Sequence, residues 1–512
     1  MVDQFHRFFT DKVDAVHAAT AGGPPPTFSV APTVFSFSCF HKVTADDVTS
    51  AICRLPDKSC MADTLPTPQL KLVADLVALF LTELFNHLLS TATVLKVLKS
   101  ALITPLLKKP DLDSADPRSY RPISNLSVVS KLHQRIVFRQ LYNYLSTADL
   151  LPRLQSAYRT HHSTETAVLK EVLTDILYAV DDGDLSVLAL LNLSAAFDTV
   201  DHDILLTLFK VSFGIRGAAL DWLQSYLTNR VECVRRGLAR STQKIVRFGV
   251  PQWSVLGPLV FILYTAGLID LIEGYGLHPH LYADDMQIQG SCCRPLSADQ
   301  LQSTLSACLD EVSDWMRSNR PQLNTAKTEI LWCSTTRRQN HLPPAAVCVG
   351  ENHVLPLTTV RDLGILIDND VSMRSNVSLT VSGCFAVLRQ LRSIRCSVSD
   401  SVFQSLVVLL VMPRLDYGNA TLAGFPTSQL RRLQSVLNAA ARLVHRSSRY
   451  QHVTPMLRDL HWLRSLERID FTLAVLVYTD ACMVWRHGIF PTTSSLSLIP
   501  TAAVSGRRRP CS

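Results

Sequence analysis

The segment Leu281-Tyr282-Ala283-Asp284-Asp285 constrains the fold of this chain more than any other stretch. Two adjacent carboxylates follow an aromatic residue, with Leu277, His278, Pro279 and His280 before them and Met286-Gln287-Ile288 after. A short apolar approach, a tight acidic turn and a short return predict a β-hairpin with both acids at its tip. Two like charges held that close are costly unless a cation neutralises them. Mg²⁺ is the expected counter-ion, because it takes few, hard oxygen ligands. An isolated Asp-Asp pair more often sits in a solvated turn, so the surrounding sequence has to decide.

Such a hairpin needs a core behind it, and the composition supplies one. Of 512 residues, 47% are apolar and 18% charged, as in a globular chain. That length allows three or four domains, or fewer if one is large. A net charge of +7 leans toward polyanionic partners. The 13 cysteines are scattered, without a Cys-x-x-Cys pair or a Cys/His array. This argues against a disulfide scaffold or zinc module and for a reducing compartment. The first residues lack the shape of a signal peptide, so an intracellular protein, nuclear or cytoplasmic and not secreted, is expected. The apolar runs near 76–98, 255–269 and 406–412 are too short or carry Glu83, Pro258 or flanking charges. They read as core helices, and no membrane is expected.

Residues 1–40 begin with an amphipathic piece (Phe5, Phe8, Phe9, Val13, Val16), then pass through Gly22-Gly23-Pro24-Pro25-Pro26, and read as a linker or tail. Thr44-Ala45-Asp46-Asp47 starts a helix. Helical spacing covers 70–89, 94–107 is a strand-like run into the basic turn Lys108-Lys109-Pro110, and 128–145 is helical. Ser163-Thr164-Glu165-Thr166 is a cap-rich entry to a helix over 167–180. Residues 185–193 fit a buried strand, 201–213 and 220–227 helices, and 231–234 with 244–248 paired strands. One long apolar helix is expected over 255–272. Ser297-x-x-Gln300 caps an amphipathic helix through Leu301, Leu305, Leu309, Val312 and Met316. A strand follows over 328–333, and 347–354 with 360–367 suggest another hairpin. From about 372 the pattern is helical. Leu430, Leu433, Leu437, Ala440 and Val444 form one stripe, and Arg431, Arg432, Arg442 and Arg446 crowd the other side. Periodicity is lost after Tyr478.

Polymerases hold metal ions with carboxylates that converge from separate strands. A second source should be a buried strand ending in Asp a little upstream, followed by an aromatic residue that packs against the sugar. Leu188–His202 has the strand and the aromatic, Phe197. From here the chain resembles the reverse transcriptases of LINE-type (non-LTR) retrotransposons. The matching segments, in order, are YRPISNL (120–126), QSAYRTHHSTETA (155–167), LLNLSAAFDTVDHDILL (190–206) and GVPQWSVLGPL (249–259). LYADD (281–285), WMRSNRPQLNTAKTEILW (315–332), VRDLGILIDND (360–370) and the helical segment around 414–444 follow. The similarity runs from near residue 40 to about residue 478.

The resemblance implies an α+β right-hand polymerase with fingers, an antiparallel palm sheet and thumb, followed by helices, making DNA on an RNA template with two Mg²⁺ ions. The expected divisions are 41–185 for an N-terminal extension and fingers, 186–335 for the palm and 336–370 for a palm-end hairpin region. Residues 371–478 form a helical thumb and 479–512 an irregular tail. RNA template, DNA primer or RNA–DNA hybrid, and dNTPs are the implied partners. By resemblance Asp284 and Asp285 are metal ligands, Tyr282 is the aromatic beside them, Phe197 is the steric gate against a ribose 2′-hydroxyl, and Gln252 lies near the template–nucleotide pair. Arg121 and Arg159 are basic finger positions, with Arg159 favoured for the triphosphate because guanidinium grips phosphate bidentately. Lys327 matches a proton donor to the leaving pyrophosphate. Without the resemblance, Phe197 reads as core packing and Lys327 and Arg121 as solvated charges. His161, His162 and His202 lack companion ligands at metal spacing and read as structural. Asp201 reads as a helix cap.

Two departures stand out. The family has aspartate where this chain has Asn192, the first-strand metal ligand. A neutral amide there removes a unit charge worth ~4 kcal/mol at ~4 Å and an effective dielectric of ~20. Asp198, six positions on, lies too far along an extended strand to substitute. Trp253 stands where the family has glycine, which permits a tight turn and close backbone approach. Pro321 also replaces an expected apolar residue, and a frame slip near 481–487 would account for the unfamiliar tail. Together these suggest a truncated, partly decayed copy. The expectation is a reverse transcriptase with impaired chemistry, the alternative a non-catalytic nucleic-acid-binding remnant.

Overall fold

The computed structural model describes residues 2–30, 35–57, 63, 65–292, 298–350 and 352–487. Its strands are β1 (Ala101–Leu107), β2 (Tyr120–Asn125), β3 (Leu185–Ser194), β4 (Arg230–Arg236) and β5 (Ala239–Arg240). Then come β6 (Lys244–Val246), β7 (His278–Tyr282), β8 (Asp285–Cys292), β9 (Gln322–Leu323) and β10 (Glu329–Cys333). Two short pairs close the series: β11 (Val347–Val349) with β12 (Asn352–Val354), and β13 (Thr359–Asp362) with β14 (Ile365–Asp368).

The central sheet runs β10-β3-β8-β7, with β9 on the end of β3, and all its pairs are antiparallel. Strand β3 has neighbours on both sides, and both its faces are covered. This is why its sequence, LSVLALLNLS, is nearly continuous in apolar residues rather than alternating with polar ones. Side chains still alternate between faces. Val187, Ala189 and Leu191 enter one apolar cluster with Met286, Ile288, Ile330 and Trp332. Leu188, Leu331 and Cys333 enter another on the opposite side, shared with the C-terminal helices. The sheet is the partition between two cores.

A second sheet runs β2-β1-β4-β5, with β6 also on β4. Its β1 and β4 are parallel and its other pairs antiparallel. The expected linker over 1–40 is helical over Val2–Thr20 and packs on this sheet. Phe5 is buried against the Tyr120 ring, centroids 4.9 Å apart, beside Ala101, Ile103 and Val234. His6 Nδ1 lies 2.9 Å from Ser241 Oγ. At the helix's other end the His17 ring stacks 3.5 Å from Phe248 and His17 Nε2 lies 3.1 Å from the Thr199 carbonyl oxygen, so one helix ties this sheet to the segment after β3. An amphipathic stripe was legible there, but the surface it covers comes from residues about 100 to 230 positions away.

Several elements differ from expectation. The helix expected over 70–89 is broken at Val73 into Thr67–Leu72 and Ala74–Ser90. The apolar helix expected over 255–272 is two, Gly257–Tyr264 and Gly267–Glu273. Thr265 ends the first, its hydroxyl donating back to the Phe261 carbonyl at 3.2 Å in competition with the helix ladder. Residues 347–354 and 360–367 do not pair with each other. Each segment is its own hairpin, turning at Gly350 and Gly364, both with positive φ. The helix at 167 begins as a π-helix over Ala167–Leu173. The Ser297 cap lies outside the described residues, although the helix Ala298–Asn319 buries its predicted stripe.

Past β14 the described chain has helices and no strand. Thr427–Val444 buries Leu430, Leu433, Leu437, Ala440 and Val444 and exposes Arg431 and Arg432, and Arg446 is exposed just past its end. The last helix continues beyond Tyr478 to His487, and the tail from 488 lies outside the described residues. Among the described residues no helix is long and apolar enough to cross a membrane.

Candidate active site

The Asp-Asp segment is a hairpin, as its sequence predicts. Tyr282 pairs with Asp285, which leaves Ala283 and Asp284 as the turn. Ala283 takes a φ of 58°, the left-handed region that tight hairpin turns require. Asp285 opens β8 and lies directly opposite Asn192 on β3. Side chains facing each other across an antiparallel pair are close enough to bond. Here Asn192 Nδ2 donates to Asp285 Oδ1 at 2.8 Å. A carboxylate can only accept, so the amide must face it with its N–H group. The position where the resemblance implies a negative oxygen therefore offers a proton donor, which occupies one oxygen of Asp285.

Asp284 is held above the usual carboxylate range, first by burial and then by the Asp285 charge, while Arg121 and Lys327 act in the opposite direction. Arg121 comes from β2 and Lys327 from the short 3₁₀ turn Thr325–Lys327. Both were singled out from the sequence, and the fold brings both to the acidic turn. Lys108 belongs to the same cluster, although the sequence offered only the basic turn Lys108-Lys109-Pro110 as a signal. Its pKa is lowered by burial and then by Lys12, Lys327 and Arg121. Arg121 and Lys327 at the acidic turn, with Lys108 and Lys12 in the same cationic cluster, make an electropositive mouth suited to a polyphosphate. Beside it opens a cleft of about 720 Å³, lined by Asn192, Tyr282, Asp285, Lys327, Arg361 and Asp362 among others.

Phe197 and Gln252 meet through the segment between them. Val250 N donates to Phe197 O at 2.8 Å, and Gly249 N to Val200 O at 2.7 Å. Gly249 has φ 82°, and a Cβ there would lie 2.6 Å from the Asp198 carbonyl, so this approach needs glycine. The Phe197 ring stacks on Phe261 with centroids 4.4 Å apart and remains partly exposed. Gln252 Nε2 donates to Asp198 Oδ2 at 2.7 Å. Burial pushes the Asp198 carboxyl up to about 7, against the Gln252 hydrogen bond. Asp198 thus braces Gln252. Asp201 caps the helix His202–Val211, accepting from Asp203 N and Ile204 N. His202 Nε2 lies 2.8 Å from the Gly249 carbonyl oxygen, and His162 Nδ1 lies 3.1 Å from that of Thr160.

Arg159, expected at the triphosphate, turns onto its own loop. Its Nη1 donates to Pro152 O at 2.9 Å and Arg153 O at 3.2 Å. Tyr158, which the sequence did not single out, stands nearer the acids. Its hydroxyl pKa is raised by burial and then by Asp284 and Tyr282.

Trp253 sits third in a turn closed by Ser254 N donating to Pro251 O at 3.1 Å. Its φ is 71° and its side chain is 70% exposed. A bulky residue at positive φ costs about 1–2 kcal/mol, which glycine avoids apart from its own entropic penalty of about 0.5–1 kcal/mol. Trp253→Gly is accordingly expected to stabilise the fold by roughly 0.5–1 kcal/mol in urea unfolding. A loss of stability would show that the indole makes contacts that outweigh the strain.

Among the described residues no group of three His, Cys, Asp or Glu side chains is arranged to hold a metal ion. Asp284 and Asp285 fit contact with one cation. The strand side, from which a two-ion clamp needs a carboxylate, presents the Asn192 N–H instead, so the residues do not fit the two-ion site.

Residues 107–361 match the family model described as reverse transcriptase (RNA-dependent DNA polymerase). The chain is 29% identical over 431 residues to a probable RNA-directed DNA polymerase from transposon BS of Drosophila melanogaster, covering 82% of this chain and 46% of that protein. It is 28% identical over 414 residues to the corresponding protein of transposon X-element from the same species, covering 80% and 44%. Against the RNA-directed DNA polymerase from mobile element jockey of Drosophila funebris, identity is 26% over 345 residues, covering 66% and 36%. The chain spans less than half the length of these relatives.

Proposed function

We propose, from the premise that residues 107–361 are a reverse transcriptase domain of the non-LTR retrotransposon kind, that the chain is a scaffold for RNA-directed DNA synthesis whose nucleotidyl transfer is impaired at Asn192. In this reading β1, β2 and the helices around them are fingers, the central sheet is the palm, and the helices past residue 371 are the thumb. The ligands are an RNA template, a DNA primer paired to it, and a dNTP, met inside the cell. Lys108, Arg121 and Lys327 draw the triphosphate to the mouth of the cleft, Phe197 underlies the sugar, and Asp198 fixes Gln252 beside the nascent pair. Exposed arginines of Thr427–Val444 face the duplex phosphates. Reverse transcriptases use divalent ions, and here the strand-side ligand for them is an amide.

The hydrogen bond from Asn192 to Asp285 carries this reading. It also favours a second one, a nucleic-acid-binding remnant that no longer polymerises. Primer extension on an RNA template, paired with binding to an RNA–DNA hybrid at graded salt, separates them. Binding that weakens steeply with salt, with trace extension, is the expected result. Binding with no extension at any enzyme concentration selects the remnant. Strong extension contradicts the impairment, and absence of binding at low salt contradicts both.

A further inference from the structure

The acidic turn is gripped from outside its own hairpin. Residues 154–157 run beside β7 as an additional edge. Leu281 N donates to Leu154 O at 2.8 Å, and Ser156 N donates to Leu281 O at 2.9 Å. Gln155 lies between them, in a parallel bridge with Leu281. Its side chain is 1% exposed, and its Oε1 accepts from Ala283 N at 3.0 Å and from Ala157 N at 3.0 Å. Ala283 is the left-handed residue of the turn, one position before Asp284. A single side-chain oxygen, 128 residues away in sequence, thus satisfies the turn's leading amide.

A second buried chain of hydrogen bonds starts at the next residue. Ser156 Oγ lies 2.9 Å from His280 Nε2, His280 Nδ1 lies 2.7 Å from Gln287 Oε1, and Gln287 Nε2 donates to Asp362 Oδ1 at 2.8 Å. Its direction is fixed by chemistry. Gln287 Oε1 can only accept, so His280 Nδ1 carries the proton and Nε2 accepts from the Ser156 hydroxyl. His280 is then neutral, in keeping with burial lowering its pKa to about 4. The chain crosses both hairpin strands and ends on β13. Ser156, His280, Gln287 and Asp362 are all buried, and Gln287 and Asp362 also border the cleft beside the acidic turn.

We propose that Gln155 is a positioning residue for the carboxylate turn, fixing Ala283 and hence Asp284 through its side-chain carbonyl, with the Ser156–His280–Gln287–Asp362 chain locking the same loop to the hairpin and to β13. This deepens the polymerase reading and rests on it for any effect on catalysis, whereas the structural grip stands independently. Gln155→Met keeps length and removes the acceptor, and the isosteric Gln155→Glu keeps an acceptor oxygen.

Hydrogen exchange on the full chain reads the grip directly. Gln155→Met should speed exchange at the Ala283 amide about tenfold, as loss of one buried hydrogen bond does, with Gln287–Gln289 in β8 unchanged. Gln155→Glu should stay within about threefold of the unaltered chain. Unchanged exchange at Ala283 in Gln155→Met, or acceleration throughout β7 and β8 in both variants, overturns the assignment. In an Asn192→Asp background, Gln155→Met should lower kcat for single-nucleotide addition about tenfold with the dNTP KM within about twofold, and Gln155→Glu should restore most of it. An unchanged kcat alongside faster Ala283 exchange overturns the positioning role. If the Asn192→Asp parent itself extends no primer, the polymerase reading fails, and the exchange result still decides the grip.

Discussion

Asn192→Asp is expected to raise primer extension on an RNA template by on the order of 10³-fold. The added charge interacts with a neighbouring cation by ~4 kcal/mol at ~4 Å and an effective dielectric of ~20, and each 1.36 kcal/mol realised in the transition state is about tenfold in rate. The geometry adds to this estimate. Asn192 Nδ2 is 2.8 Å from Asp285 Oδ1, so the substitution both supplies an acceptor and frees the oxygen now bonded to the amide. The same change should destabilise the chain without divalent ions, since two carboxylates would then face each other across β3 and β8. A gain in extension that requires Mg²⁺, together with a lower Tm in EDTA, is the expected pair of results. Loss of stability without any gain in extension would contradict the impairment at Asn192.

Asp198→Asn is expected to stabilise the fold by up to about 4 kcal/mol at pH 8. Burial holds the Asp198 carboxyl protonated up to about 7 in the folded chain, whereas the unfolded chain ionises near 3.8. Between those values the unfolded state binds fewer protons, so stability falls as pH rises from about 4 to about 7 and levels off above. Asparagine removes that slope and still offers Gln252 an acceptor at the same position. Urea unfolding of the two proteins from pH 4 to pH 8 should give curves that coincide at the acid end and separate toward pH 7. Parallel curves would mean that the carboxylate is ionised in the folded chain, compensated by Lys12 more fully than burial opposes it.

Where sequence was informative, the cause was local. The acidic hairpin, the Asp201 cap and the buried stripes of Ala298–Asn319 and Thr427–Val444 each follow from a periodicity or a capping residue. The breaks at Val73 and Thr265 were not legible, because the apolar pattern runs through both of them. Nor was the split of 347–367 into two hairpins, where two glycine turns compete with a longer pairing. In the site, the amide at 192 could be read directly. That its replacement donates into Asp285 could not, since this depends on the register between β3 and β8. The hydrogen bonds of Arg159 to its own loop were not legible for a related reason. A guanidinium beside a loop has carbonyls within reach, and three of them, Pro152, Arg153 and Gln155, take it. Gln155 carried no signal at all, because its role lies in one contact across 128 residues.

That Asn192 closes the strand side of the metal site is tested most directly by counting bound Mn²⁺ by electron paramagnetic resonance in the unaltered chain and in Asn192→Asp. The unaltered chain should hold about one ion weakly at the Asp284–Asp285 turn, and Asn192→Asp should hold about two, the first at least tenfold tighter. Two tightly held ions in the unaltered chain, or no difference between the two proteins, would contradict it.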